Sequence, residues 1–246
     1  MTNDAPTPTE APAAGSRDSS TDPLPAAVLW DFDGTLVDSE PIWMRMEHEL
    51  VAEWGGQWSD EQAYQMVGND LRESARHLIA ASARDDLTID GVVAALVSRV
   101  AAELRDGPML ELRPGAGELL RQLAAAGVPC ALVSASYREV LEAMLTRLPA
   151  NPFVDVVAGD DVTHGKPHPE PYLTACARLG VRPEDCVVLE DSNTGADSGN
   201  AAGAVVLVIR NHVQVPPAPR RVLLDTLAGV GPAELAGHLA RARGER

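Results

Sequence analysis

Four apolar runs constrain this chain more than any other feature: Ala26 to Trp30, Val128 to Val133, Cys186 to Leu189 and Ala204 to Ile209. Each is too short for a helix, and each is apolar almost without interruption, as strands buried on both faces are. Helical patterns separate the later three. Pro114 opens a helix carrying Leu119, Leu120 and Leu123 that stops at Gly127. Further helices are predicted from Tyr137 to Leu148, after Pro169 and from Ala196 to Ala202, with another strand around Phe153 to Ala158. Strand and helix alternating in this way predict a parallel sheet with helices on both faces.

The first strand stands far ahead of the others, and the chain between is helical in pattern. Ser39, Glu40 and Pro41 open a helix whose apolar set Ile42, Met46, Leu50 and Trp54 recurs at helical spacing until Gly55-Gly56. Ser59 and Gln62 form a capping box for a second helix through Val67, Asp70 and Glu73 open a third, and Thr88 starts a fourth with Val92, Val93, Leu96, Val100 and Leu104. Four helices without a strand among them make a small inserted unit. Residues 1–24 hold almost no large apolar side chain and read as a disordered tail. The expected organisation is an α/β core domain from residues 25–42 and 108–246, with residues 43–107 as a helical cap over the strand ends. The fold class is thus α/β: a doubly wound, Rossmann-like parallel sheet core with a small four-helix cap inserted after the first strand.

Ligands of such sheets bind in the crevice at the carboxyl ends of the strands. Asp31 ends the first strand, Ser134 the second and Glu190-Asp191 a later one, and Lys166 lies in the loop before the helix leading to it. Asp31 and Asp33 share one side of an extended backbone, where their repulsion is costly unless a cation or a shared proton relieves it. Gly34 lets the backbone approach a ligand and offers its amide, and Thr35 adds a hydroxyl. Taken singly, each has a plainer reading: turn acids at 31 and 33, a helix N-cap at Ser134, a solvated loop lysine at 166.

The net charge of −16 argues against a sequence-independent hold on nucleic acid or an anionic membrane. No run approaches the roughly 18 apolar residues of a membrane span. Cys130, Cys176 and Cys186 lie singly in apolar surroundings, without zinc-site or redox spacing, and there is no basic-then-apolar leader. The expected place is the cytoplasm, and no protein partner is indicated.

Four stretches carry a resemblance. Asp31-Phe32-Asp33-Gly34-Thr35, Leu132-Val133-Ser134-Ala135-Ser136, His164-Gly165-Lys166-Pro167-His168-Pro169-Glu170-Pro171-Tyr172 and Leu189-Glu190-Asp191-Ser192-Asn193-Thr194-Gly195 resemble the motifs of the haloacid dehalogenase superfamily. They are most similar to its helical-cap phosphatases and β-phosphoglucomutase-like members, with bacterial sugar and sugar-alcohol phosphatases nearest in motif. The resemblance implies an Mg²⁺-dependent hydrolase of a small phosphorylated metabolite, such as a sugar or sugar-alcohol phosphate, acting through an aspartyl-phosphate. It implies Asp31 as nucleophile and Asp33 as general acid and base, and it implies Ser134, Ala135, Ser136 and Lys166 with Gly34 and Thr35 around the phosphoryl group. The metal set is Asp31, Asp33 through its backbone carbonyl, and Asp191, with Glu190 steadying that shell. Trp43, Asn69 and Arg76 are the cap residues expected to meet the substrate. Trp43 stands where the mutase carries His, and Arg138 where it carries Asn, which weighs against a mutase. A mutase and a noncatalytic binding protein of the same fold are the alternatives.

Overall fold

The computed structural model describes residues 22–68, 70–148 and 150–244. The expected tail lies outside the described residues up to 21, as does Asn69.

Six parallel strands form one sheet in the order β3-β2-β1-β4-β5-β6. They are β1 (Ala27–Trp30), β2 (Cys130–Val133), β3 (Asp155–Val157), β4 (Cys186–Glu190), β5 (Val205–Ile209) and β6 (Arg221–Leu224). β1, β2, β4 and β5 are buried at every position, and that is why their sequences show no inside-outside alternation. β1 pairs with β2 on one side and β4 on the other. The strand order reverses at β1, and the end of that strand is therefore where a crevice opens.

Helices α5 (Ala116–Ala125), α6 (Arg138–Leu145), α7 (Glu170–Leu179), α8 (Asn193–Ala202) and α9 (Pro232–Arg243) follow or link the strands. Before α5 come α1 (Glu40–Glu53), α2 (Asp60–Tyr64), α3 (Leu71–Ala81) and α4 (Ile89–Asp106), which pack on one another, while α4 also packs on α6. Their caps follow the sequence. Ser59 and Gln62 form the reciprocal capping box, and the Asp70 and Thr88 side chains accept from the amides of Arg72 and Gly91.

The structure departs from expectation at several helix ends, among them α6, which stops at Leu145 rather than Leu148, and α8, which starts at Asn193 rather than Ala196. α2 stops at Tyr64 rather than Val67, because the chain turns there toward Gly68, whose φ of 76° is left-handed. The Ser39 hydroxyl does not cap α1, having a carboxylate acceptor at Asp33 instead. β6 and α9 were not expected. β6 is a short, half-exposed edge strand, whereas α9 carries legible signals in Pro232 and in Leu235 and Leu239, both buried.

Candidate active site

Asp31 leaves the central strand with its amide still donating to the Leu189 carbonyl of β4 (3.0 Å), so the ladder itself fixes where its carboxyl group begins. Lys166 Nζ donates to Asp31 Oδ1 (2.7 Å), to Glu190 Oε1 (2.6 Å) and to the Val133 carbonyl at the end of β2 (3.0 Å). Three strand ends are thereby tied to one ammonium. It lies 5.1 Å above the centre of the Tyr172 ring, whose hydroxyl donates to Glu190 Oε1 (2.8 Å). Burial alone would lower the Lys166 ammonium, but Asp31 and Glu190 outweigh it and hold the pKa above its ordinary value.

Glu190 has no lone pair to spare. Besides Lys166 and Tyr172 it accepts from the Asp191 amide (3.1 Å), the Ser192 amide (3.3 Å) and the Ser192 hydroxyl (3.0 Å), and it is fully buried. Gly195 makes room for it, since a Cβ there would lie 1.7 Å from Oε1. Gly34, at a left-handed φ of 82°, does the same for Asp191, whose Oδ2 would lie 2.0 Å from a Cβ.

Asp191 accepts from Asn211 Nδ2 (2.8 Å) and, through its other oxygen, from the Thr35 hydroxyl (3.4 Å). Burial, followed by the charge of Glu190, pushes its pKa to about 8. The same two causes, desolvation first, raise Asp31 well above the carboxylate range, with Lys166 pulling the other way. One ligand atom from each of Asp31, Glu190 and Asp191 lies within 4.8 Å of the others, and all three residues are buried. Three acids around one lysine leave an excess of negative charge in a desolvated place, and hard oxygen donors in that arrangement suit a divalent cation. Glu40 deepens the excess. It is 5% exposed, its Oε2 has no hydrogen-bond partner among the described residues, and burial, then Asp38 beside it, raises its pKa to about 8.

Asp33 faces a different set of groups. Its Oδ1 accepts from the Ser39 hydroxyl (2.5 Å) and from Trp43 Nε1 (2.9 Å), and its Oδ2 from the hydroxyls of Ser134 (3.2 Å) and Ser136 (2.5 Å). Ser134 is not a helix cap, since its hydroxyl accepts from the Ser136 amide and donates to Asp33. An open cleft of about 760 Å³ joins these groups: Asp31, Asp33, Ser134, Ala135, Ser136, Lys166 and Asp191 line one side. Trp43, Met44, Glu47, Met66, Leu71 and Ser74 of α1 to α3 and their links line the other.

Of the residues singled out from sequence, Gly34, Thr35 and Glu190 support the cleft from behind. Arg76 is not on its wall, because its guanidinium lies on the exposed face of α3 in an ion pair with Glu73. Polar residues missed include Glu40, Glu47, Ser74, Asn211, Ser39 and, on the cleft wall, Ser192 and Thr194. Glu47 had a signal, since it follows Trp43 by four residues and so shares its helix face.

With that geometry established, the chain belongs to the haloacid dehalogenase-like hydrolase family, whose model matches residues 28–209. It is 34% identical to hexitol phosphatase A of Escherichia coli K12 over 76% of this chain and 84% of that protein. A bifunctional riboflavin kinase/FMN phosphatase of Arabidopsis thaliana is 30% identical over 87% of this chain; the chain spans 54% of that relative's length. Among solved structures, CbbY from Rhodobacter sphaeroides in complex with phosphate superposes with a TM-score of 0.78 at 29% identity, covering 86% of this chain and 99% of that one. Among the described residues, no helix is long and apolar enough to cross a membrane.

Proposed function

We propose that the protein is an Mg²⁺-dependent phosphatase of small phosphomonoesters, sugar or sugar-alcohol phosphates by class, working through an aspartyl-phosphate on Asp31. One observation carries the reading: Asp31 and Asp33 after β1, Ser134 after β2, Asp191 after β4 and Lys166 from the loop before α7 line a single cleft. The likeness to a hexitol phosphatase supports the substrate class. In this reading the residues 43–107 are a cap domain on a core of 25–42 and 108–246.

Asp31 attacks phosphorus in line, splitting one difficult displacement into two easier ones. Lys166, fixed on Asp31 Oδ1, orients that carboxylate and holds positive charge where the phosphoryl oxygens gather. The Ala135 amide supplies a neutral donor beside it, joined by the Ser134 hydroxyl when that turns from Asp33 Oδ2. Asp33 gives a proton to the leaving alkoxide and then takes one from water, a role typically worth about 10²- to 10⁴-fold. Asp31, the Asp33 carbonyl and Asp191 would hold Mg²⁺, with Glu190 saturated by its own donors and steadying the set. When bound, the ion screens the phosphate dianion from the attacking carboxylate.

The test is inorganic phosphate release from a panel of sugar and sugar-alcohol phosphates with Mg²⁺ and with EDTA. Metal-dependent release with one ester well ahead is the expected result. Isomerised sugar phosphate that depends on a bisphosphate primer would replace hydrolysis by a mutase, and EDTA-insensitive silence on every ester would leave a binding protein.

A further inference from the structure

We infer that Glu47 is the specificity-determining residue of the cleft: it selects phosphomonoesters carrying a hydroxyl at the end remote from the phosphate, and turns away those carrying a second anion there. The inference rests on the hydrolase reading and adds to it what the organic part of the substrate must offer.

Glu47 is an acid to which the proposed reaction assigns no work. Glu47 stands on α1 one turn beyond Trp43, is 5% exposed, and lines the cleft opposite the reacting carboxylates. Its Oε2 accepts from Trp58 Nε1 (3.1 Å). Its Oε1 has no hydrogen bond, and the residue has no ion pair, among the described residues. The wall around it is apolar, formed by Met44, Ala63, Met66, Val67 and Leu71. A buried carboxylate without a cation is costly in such a setting, and burial pushes its pKa up to about 7. A leucine there would complete the wall at no such cost.

Ser74 is the second observation. It stands on α3, is 3% exposed, lines the same wall, and its hydroxyl has no hydrogen bond among the described residues. One free acceptor oxygen and one unbonded hydroxyl thus belong to residues that line the cleft from two different helices. Together they match a group that both donates and accepts, and a substrate hydroxyl is such a group. A second phosphate or a carboxylate would lack the donor and would meet Glu47 as a like charge in a poorly hydrated place.

The experiment compares kcat/KM on sorbitol 6-phosphate, p-nitrophenyl phosphate and fructose 1,6-bisphosphate for the wild type, Glu47→Gln, Glu47→Leu and Ser74→Ala. The wild type is expected to favour the polyol ester over the bisphosphate. Glu47→Leu is expected to lose about 10- to 100-fold on sorbitol 6-phosphate, the value of a charge-assisted hydrogen bond. That loss should appear in KM, with p-nitrophenyl phosphate, which has no hydroxyl, within about threefold of the wild-type value. Glu47→Gln should narrow the gap to the bisphosphate, having lost the charge but not the size. It keeps an acceptor for Trp58 Nε1, and so carries the test if the leucine variant does not fold. An equal loss on all three esters, no change on any, or a wild-type preference for the bisphosphate would overturn the inference alone. Failure of the wild type to release phosphate from every ester would overturn the hydrolase reading together with it.

Discussion

The two sides of the cleft are built on opposite principles. On the sheet side, polar atoms are bonded to one another almost without remainder: Lys166 makes three hydrogen bonds, Asp33 accepts four and Glu190 accepts five. On the helical side, Glu47 and Ser74 stand on an apolar wall with capacity left over, and Glu40 at the start of α1 keeps one oxygen unbonded among the described residues. So dense a network fixes its hubs Lys166, Asp33 and Glu190 whatever enters, while Asp31 and Asp191 keep oxygen capacity for a ligand. An unsaturated wall is satisfied only by the right visitor. The contrast separates a surface suited to one reaction from a surface suited to choosing what undergoes it.

The sharpest way to break that division is at its centre. Asp31→Asn should abolish phosphate release, a fall of at least about 10⁴-fold, while a thermal melt stays within a few degrees of wild type or rises. The variant removes a carboxyl that burial and neighbouring acids already disfavour as an anion. Retained turnover would place the nucleophile elsewhere.

Lys166→Met should act on folding as well as on catalysis. It leaves Asp31 and Glu190 buried without their common cation, and breaking such a pair costs about 3–5 kcal/mol. Urea titration at pH 7 measures the loss, which should shrink as pH falls and the buried acids take up protons. An unchanged midpoint would mean the sheet side is less tightly coupled than its bonds imply.

The smallest effect separates the helical side. The Glu47 carboxyl sits at about 7 in the folded chain against 4.5 ordinarily. The folded state therefore binds the proton more tightly, and the stabilisation is complete below about pH 4.5 and is lost as pH rises to 7. Glu47→Gln should accordingly be more stable than wild type by about 1–3 kcal/mol at pH 8, with the difference vanishing toward pH 4. Urea midpoints at the two pH values check it. A constant difference would mean that the carboxyl is already neutral, or already paired, throughout.

The sheet side was legible in the amino-acid sequence and the helical side largely was not. Asp31, Ser134 and Asp191 each follow an apolar run too short to be anything but a strand, so topology alone brings them together at the carboxyl ends of β1, β2 and β4. Lys166 has no such position, and was legible only through the motif around it. Glu47 escaped because a single acid among Met44, Arg45, Met46 and His48 reads as a solvated face, and only the packing of α2 and Trp58 over it buries that face. Arg76 shows the reverse error of weighting. A cation in a cap-like helix suggests phosphate, yet its neighbour Glu73, three residues earlier, draws it to solvent. The edge strand β6 is as long as β1 and β2, but it opens on Arg221 and is too mixed in burial for an apolar run to form.

The first turn of α1 has one more implication. Ser39 and Trp43, both on or beside that turn, hold the same oxygen of Asp33, while the serines after β2 hold the other. Any tilt of the helix that widens or narrows the entrance must also stretch or release those two donors. In the proposed reaction, access and the proton transfer by Asp33 would then follow a single mechanical coordinate, as a door that cannot swing without turning its own lock.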